Sequence, residues 1–231
     1  MTVSTYYLRA RLFPTILTIF PIIIFVYSIL SKLYENKLTE IANILPIVIN
    51  LGLSTALVFL MVQINRIVSK EIFQKYNFVD ELKMPTTNHL LWSNDYFEKN
   101  IKEKLHLKIL NKFDLPLFSE SEEQVNELKS RKQIALAVSQ IRNILRENKL
   151  LLQHNIEYGF FRNLIGGSLI ALIFSIIIVI YSFIINDSNL KSIGITLSII
   201  YFIPILLNKP IINRFGNYYS KILYEQFLTI Q

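Results

Sequence analysis

The chain has 231 residues, 52% of them apolar and 18% charged, with 24 Lys and Arg against 17 Asp and Glu for a formal net charge of +7. Its mean hydropathy of +0.39 is too high for an ordinary soluble domain and points to a membrane protein. The absence of cysteine excludes a disulfide framework, thiolate metal sites and thiol nucleophiles.

Four windows carry no Asp, Glu, Lys or Arg: residues 12–30, 41–65, 163–186 and 192–208, of 19, 25, 24 and 17 residues. A helix needs roughly 20 apolar residues to cross a hydrocarbon core. The sequence therefore predicts an all-α membrane protein with four transmembrane helices, the last using its polar ends to reach across. The first window follows Arg9 and Arg11 but is longer than a secretory signal core and lacks a small-residue cleavage pattern, so it is read as a span that is retained.

Lys and Arg are divided unevenly: 2 in the N-terminal tail, 2 in the 31–40 loop, 16 in residues 66–162, 1 in the 187–191 turn and 3 in the C-terminal tail. The positive-inside bias then predicts a multi-pass membrane protein with both termini and the central segment cytoplasmic. Arg9, Arg11, Arg66, Arg162 and Arg214 each stand at the cytoplasmic end of a span, where snorkelling to the headgroups is the plain reading.

The predicted organisation is residues 1–65 for spans one and two, 66–162 for a cytoplasmic stalk and crown, and 163–231 for spans three and four with a C-terminal tail. Residues 62–76 keep helical spacing and extend the second span. Ser119-Glu-Ser-Glu122 reads as a capping box. Apolar steps after it predict an unbroken helix from Ser121 to Gly159 and on into the third span. Between these stalks lie an opening loop Met84-Pro-Thr-Thr-Asn-His-Leu-Leu-Trp92, a lysine-rich helix about residues 96–112, and a Leu115-Pro-Leu turn.

Catalytic signatures are missing. His89, His106 and His154 fall in no metal-ligand spacing, and there is neither a phosphate-binding glycine loop nor a nucleophile elbow. The chain is read as a non-enzyme without cofactor or metal.

On a helix of 100° per residue, Arg131, Arg142, Arg146 and Lys149 fall within a sector of about 60°. Such a stripe suits phosphate oxygens, against the alternative of a solvated face paired with Glu127 or Glu147. The run Lys99, Lys102, Lys104, Lys108, Lys112 reads as a solvated face. Trp92, with Tyr96 and Phe97, offers stacking surfaces for single-stranded nucleic acid, against burial in the crown; Thr86, Thr87 and Asn88 add polar groups beside it. Within the spans, Ser168, Ser175 and Ser182 recur every seven residues, while Asn50, Ser54 and Gln63 mark the second helix. These polar seams either pack helices together or line a wet path.

Three stretches, Tyr7-Leu-Arg-Ala-Arg-Leu-Phe-Pro14, Met84-Pro-Thr-Thr-Asn-His-Leu-Leu-Trp92 and Glu157-Tyr-Gly-Phe-Phe-Arg-Asn-Leu164, together resemble the Hailong protein A-like effectors, small bacterial membrane proteins encoded beside nucleotidyltransferases in anti-phage defence. The resemblance implies a homo-oligomeric ion channel with a cytoplasmic crown. In that family a single-stranded DNA oligomer, oligo-deoxyadenylate made by the partner nucleotidyltransferase, holds the channel shut, and its loss arrests growth. This chain departs from the family pattern at Asn88, where a basic residue is expected, and at Phe161, where Arg is. The expected phosphate contacts therefore move to Arg131, Arg142, Arg146 and Arg162. A reading of another class remains beside it: a non-conducting membrane scaffold that recruits a cytosolic protein.

Overall fold

The structure, a computed structural model, describes residues 4–33, 53–79 and 81–230, and every regular element among them is helical. Helix α1 (Thr5–Lys32) is long and apolar enough to cross a membrane. Ser4 caps it by accepting from the Tyr7 N–H at 3.2 Å. Its backbone is irregular twice, in a π-helical turn at Leu8–Leu12 and a bend at Ile19. Each lies just before a proline, Pro14 and Pro21, which can give no hydrogen bond to the preceding turn.

Helix α2 (Leu53–Val68) carries the end of the second charge-free window and continues through a π-helical turn, Ser69–Gln74, and a last turn, Lys75–Phe78. The expected extension past the second span is therefore present, ending at Val79 with φ 42°. Residues 41–52 of that window, and the loop before them, lie outside the described residues.

A 3-10 turn (Glu81–Lys83) and the short helix α3 (Pro85–Asn88) follow, then α4 (Lys99–Phe113), α5 (Glu120–Val125) and α6 (Glu127–Ile144). The capping box forms as expected: Ser119 Oγ accepts from the Glu122 N–H, and the Glu122 carboxylate accepts from the Ser119 N–H at 2.8 Å. The unbroken return helix does not. It is interrupted at Asn126, whose side chain accepts from the Lys129 N–H at 3.0 Å to start α6. A second interruption runs from Leu145 to Asn148, where Asn148 Oδ1 accepts from the Leu151 N–H at 2.9 Å. Both asparagines offer a side-chain oxygen in place of a backbone carbonyl, the competition that makes Asn a capping residue rather than a helix-interior one.

Helix α7 (Lys149–Ile185) contains the third window but for its last residue and α8 (Ser188–Leu206) most of the fourth; both are long and apolar enough to span. Asn186 turns between them at φ 56°, and Asp187 caps α8 by accepting from the Asn189 and Leu190 N–H groups. Helix α9 (Asn208–Thr229) ends the chain. Three candidate spans are thus present among the described residues.

By contacts the chain falls into two compact units, Met1–Phe73 with Gly159–Asn208, and Gln74–Tyr158 with Lys209–Gln231. The second unit has an apolar core including Leu90, Leu105, Ile109, Ile134, Ile141, Leu223, Tyr224 and Phe227. Burying each such side chain contributes about 1.5–3 kcal/mol. The C-terminal residues, read from sequence as a tail, supply a wall of this core. In the first unit the spans meet through Ala171, Leu197 and Tyr201, and through Phe25 edge-on to Phe174 and Tyr181 at 6.0 Å each.

Candidate functional site

In its last two turns helix α6 buries Val138 and Ile141 and turns the opposite face outward, and there a groove of about 410 Å³ is lined by Ser139, Gln140, Arg142, Asn143 and Arg146. Arg142 is held in place: Nη1 lies 3.5 Å from Glu81 Oε1, Nη2 donates to Thr86 Oγ1 at 3.3 Å, and the guanidinium sits 5.8 Å from the Tyr219 ring centroid. Arg146 is exposed, just past the end of the helix, with exposed Lys149 opening α7. Two guanidinium groups beside side-chain amides and a hydroxyl form a cationic, hydrogen-bonding concavity suited to a phosphate-bearing chain.

The structure brings part of the sequence-predicted set to this groove and places the rest elsewhere. Because α6 ends at Ile144, the helical arithmetic that aligned Arg146 and Lys149 with Arg131 does not hold across the break. Arg131 is committed to the fold: Nη1 donates to Leu82 O at 2.8 Å and Asn88 Oδ1 at 2.5 Å, and Nε donates to Glu127 Oε1 at 2.7 Å. Arg162 is buried in α7 within the first unit.

The Thr86-Thr87-Asn88 stretch is a hydrogen-bonded knot rather than an open loop, with Thr86 and Thr87 buried and Asn88 half-buried. Thr87 Oγ1 donates to Glu81 O at 2.7 Å, Tyr224 donates its hydroxyl to Thr86 O, and Asn88 Nδ2 donates to Lys83 O at 3.0 Å. Full burial pushes the Tyr224 phenol well above its ordinary range. One turn on, His89 accepts or donates at Nδ1 with Ser220 Oγ at 2.8 Å and lies flat against Tyr96 at 3.7 Å. Burial is the main cause that lowers its pKa to about 4, with Asn217 opposing and Lys102 assisting.

Trp92 is half-buried. Its Nε1 donates to Phe118 O at 2.8 Å, and its ring packs 4.5 Å from His106. The segment around it is clamped from both sides by two buried charges that the sequence reading missed. Lys102 Nζ donates to Leu91 O at 2.7 Å, Trp92 O at 3.3 Å and Asn94 O, while the Glu123 carboxylate accepts from the Trp92 and Ser93 N–H groups at 3.1 and 3.0 Å. Carbonyls and N–H groups that no helix satisfies are thereby paired inside the core. Lys102 thus departs from the solvated face assigned to the lysine run; burial lowers its pKa. Lys99 keeps to that face and pairs with Glu120 at 2.8 Å, raising its own pKa and lowering that of Glu120.

Within the membrane helices, Ser168, Ser175 and Ser182 are buried inside the chain, Ser175 donating to Ala171 O at 2.7 Å and Ser182 to Val179 O at 2.6 Å. They pack α7 and present no open face. Gln63 is half-buried and accepts from Arg66 at 3.4 Å. Asn50 lies outside the described residues, as does the side chain of Ser54.

The polar network of this unit sits nearer the ends of α1 and α2. Asn65 Nδ2 donates to Thr15 and Thr18 Oγ1 at 3.1 and 3.0 Å, and Ser69 Oγ donates to Asn163 Oδ1 at 2.9 Å. Gly166 and Gly167 make that approach possible: a Cβ at the first would stand 2.7 Å from Ser69 N, and at the second 2.4 Å from Thr18 Oγ1. The sequence signal was available, since Asn163 follows Gly159 by four residues and precedes Gly166 by three, one face of a helix. No family model, curated protein or solved structure matches this chain.

Proposed function

We propose that this chain is a membrane effector of the Hailong protein A-like kind: a homo-oligomeric ion channel of bacterial anti-phage defence, in the inner membrane with both termini cytoplasmic. A single-stranded DNA oligomer, oligo-deoxyadenylate from a partner nucleotidyltransferase, holds it closed, and loss of that strand arrests growth. The observation that supports this reading is the solvent-facing groove of Arg142 and Arg146 with Ser139, Gln140 and Asn143, on a chain with three helices able to cross a bilayer. One chain of this size encloses no wide pore, so conduction requires assembly around a symmetry axis. Because Ser168, Ser175 and Ser182 are buried within the chain, the path between subunits falls to the second membrane helix, with Asn50, Ser54 and Gln63.

The test is binding of single-stranded oligo-deoxyadenylate to the purified full chain over a range of salt. A bound strand gives a slope near 0.7 per phosphate contacted, and Arg142→Gln with Arg146→Gln weakens binding and flattens the slope. An unchanged slope in the double variant removes the groove as the site. Liposomes that stay tight with the strand and leak after nuclease treatment support gating.

A second reading, the scaffold, draws on one observation: Val125 is 87% exposed and Leu128 56% exposed on the soluble unit. An apolar pair in such a place suits a protein contact. A monomer that conducts nothing and retains a cytosolic protein through these two residues decides for it.

A further inference from the structure

The first membrane helix contains two prolines, and each removes the N–H that would have bonded the carbonyl four residues earlier. Pro14 frees Ala10 O and Pro21 frees Leu17 O. A carbonyl cut off from water, by burial as at the fully buried Ala10 or by lipid, must find a donor in the protein. Both do, and from other helices: Asn163 Nδ2 of α7 donates to Ala10 O at 2.6 Å, and the Tyr201 hydroxyl of α8 donates to Leu17 O at 2.6 Å.

The backbone breaks regular α-helix at these places, in the Leu8–Leu12 π turn and the Ile19 bend. Asn163 does more than satisfy a carbonyl, because its Oδ1 also accepts from Ser69 Oγ at 2.9 Å, at the first residue of the π turn Ser69–Gln74. One buried amide thus ties the irregular turn of α1 to the irregular turn that follows α2. Gly159, four residues before it, meets Tyr6 and Ala10 so closely that a Cβ would lie 2.9 Å from the Tyr6 hydroxyl oxygen.

We propose that the part of α1 from Leu8 to Phe20 is a latched hinge, held by Asn163 and Tyr201 at the two places where a proline takes a donor from its own ladder, and that release of the Asn163 latch is the movement by which the membrane unit changes state. Helix interruptions with side-chain replacement of the lost bond are places where a helix can pivot at low cost. The latch rests on the channel reading only for its role as the gate; the hinge itself stands on the hydrogen bonds.

The test uses the full chain in lipid nanodiscs and amide hydrogen exchange. Tyr201→Phe, which deletes one hydroxyl, and Asn163→Leu, which deletes the amide at similar volume, speed exchange across residues 8–20 by about tenfold each. Ser198→Ala, whose hydroxyl bonds its own helix at Gly194 O, leaves that segment unchanged, and the soluble core around Ile134 to Ile141 stays protected in all variants. Proline replacement supplies the decisive arm: Pro21→Ala restores an N–H for Leu17 O, so adding Tyr201→Phe to it no longer loosens α1. If Tyr201→Phe leaves exchange unchanged, or loosens α1 equally with and without Pro21, the hinge is overturned. Ion flux through liposomes reads the gate separately: fast exchange without altered leak in Asn163→Leu keeps the hinge and rejects its gating role, whatever the fate of the channel reading.

Discussion

His89 shows how burial of a titratable side chain makes stability depend on pH. Its ring is nearly inaccessible, sandwiched between Ser220 and Tyr96, and its pKa falls from 6.5 to about 4. The unfolded chain therefore takes up a proton near pH 6.5 while the folded chain stays neutral, so stability is lost as pH falls from 6.5 towards 4, by about 3 kcal/mol over the whole interval. His106, also depressed by burial, adds to the loss in the same direction. Thermal unfolding of the full chain followed from pH 7 to 5 is expected to show a falling midpoint, and His89→Asn to flatten part of that fall. A midpoint equally steep in the variant would mean that His89 is not shielded from protons. At this scale the sequence was least legible. Lys102 stands in a run of lysines indistinguishable by type and spacing, yet it is buried because the carbonyls of Leu91, Trp92 and Asn94 converge on it; no local pattern encodes three carbonyls brought together by a turn eight to eleven residues upstream.

Helix contacts in the membrane unit depend on size more than on apolarity, because lipid tails offer an apolar side chain as much as another helix does. Gly166 is the clearest case. A methyl there would stand 2.6 Å from Ser69 Cβ and 2.7 Å from Ser69 N, and the nitrogen is backbone that cannot step aside. Gly166→Ala is expected to push α7 away from the π turn after α2 and to break the Ser69–Asn163 bond, read as loss of protection at both segments and a lower unfolding midpoint in detergent; Gly216→Ala, where the nearest atom is the ring Cγ of Pro85 at 3.1 Å, is expected to do less. An unaltered Gly166→Ala protein would show that the helices are not in contact here. Elements were legible where one local signal decides them: charge-free length gave α1, α7 and α8, and Ser119 with Glu122 gave the start of α5. Helix periodicity alone did not reveal the stops at Asn126 and Asn148, since the apolar steps continue across both, and capping by a single Asn competes with a helix only when tertiary packing turns the chain there. The inward role of α9 was equally hidden, because its buried positions, Ile212, Gly216, Ser220, Leu223, Tyr224 and Phe227, mix small and polar with apolar residues and read as a weak stripe.

Across the whole chain, charge is the property that decides orientation. The tails and central segment hold 21 of the 24 Lys and Arg, and an excess of basic residues stays on the cytoplasmic side during insertion. The described spans add a constraint of parity: α7 and α8 are joined by a turn of two residues, Asn186 and Asp187, so the start of α7 and the end of α8 lie on the same side. Whichever side residues 66–162 occupy, α9 must lie on the same one, which agrees with its packing among Leu105, Ile134 and Ile141 in one core. The chain lacks cysteine, so single cysteines report position without background. Cysteines placed at Asn189 and at Glu35 are expected to react with an impermeant thiol reagent added to intact cells, and cysteines at Glu122, Tyr218 and Ser4 only after the membrane is opened. Reaction at Glu122 from outside would invert the whole arrangement, whereas protection at Glu35 alone would mean that neither α1 nor the second window crosses, and would leave α7, α8 and α9 as drawn.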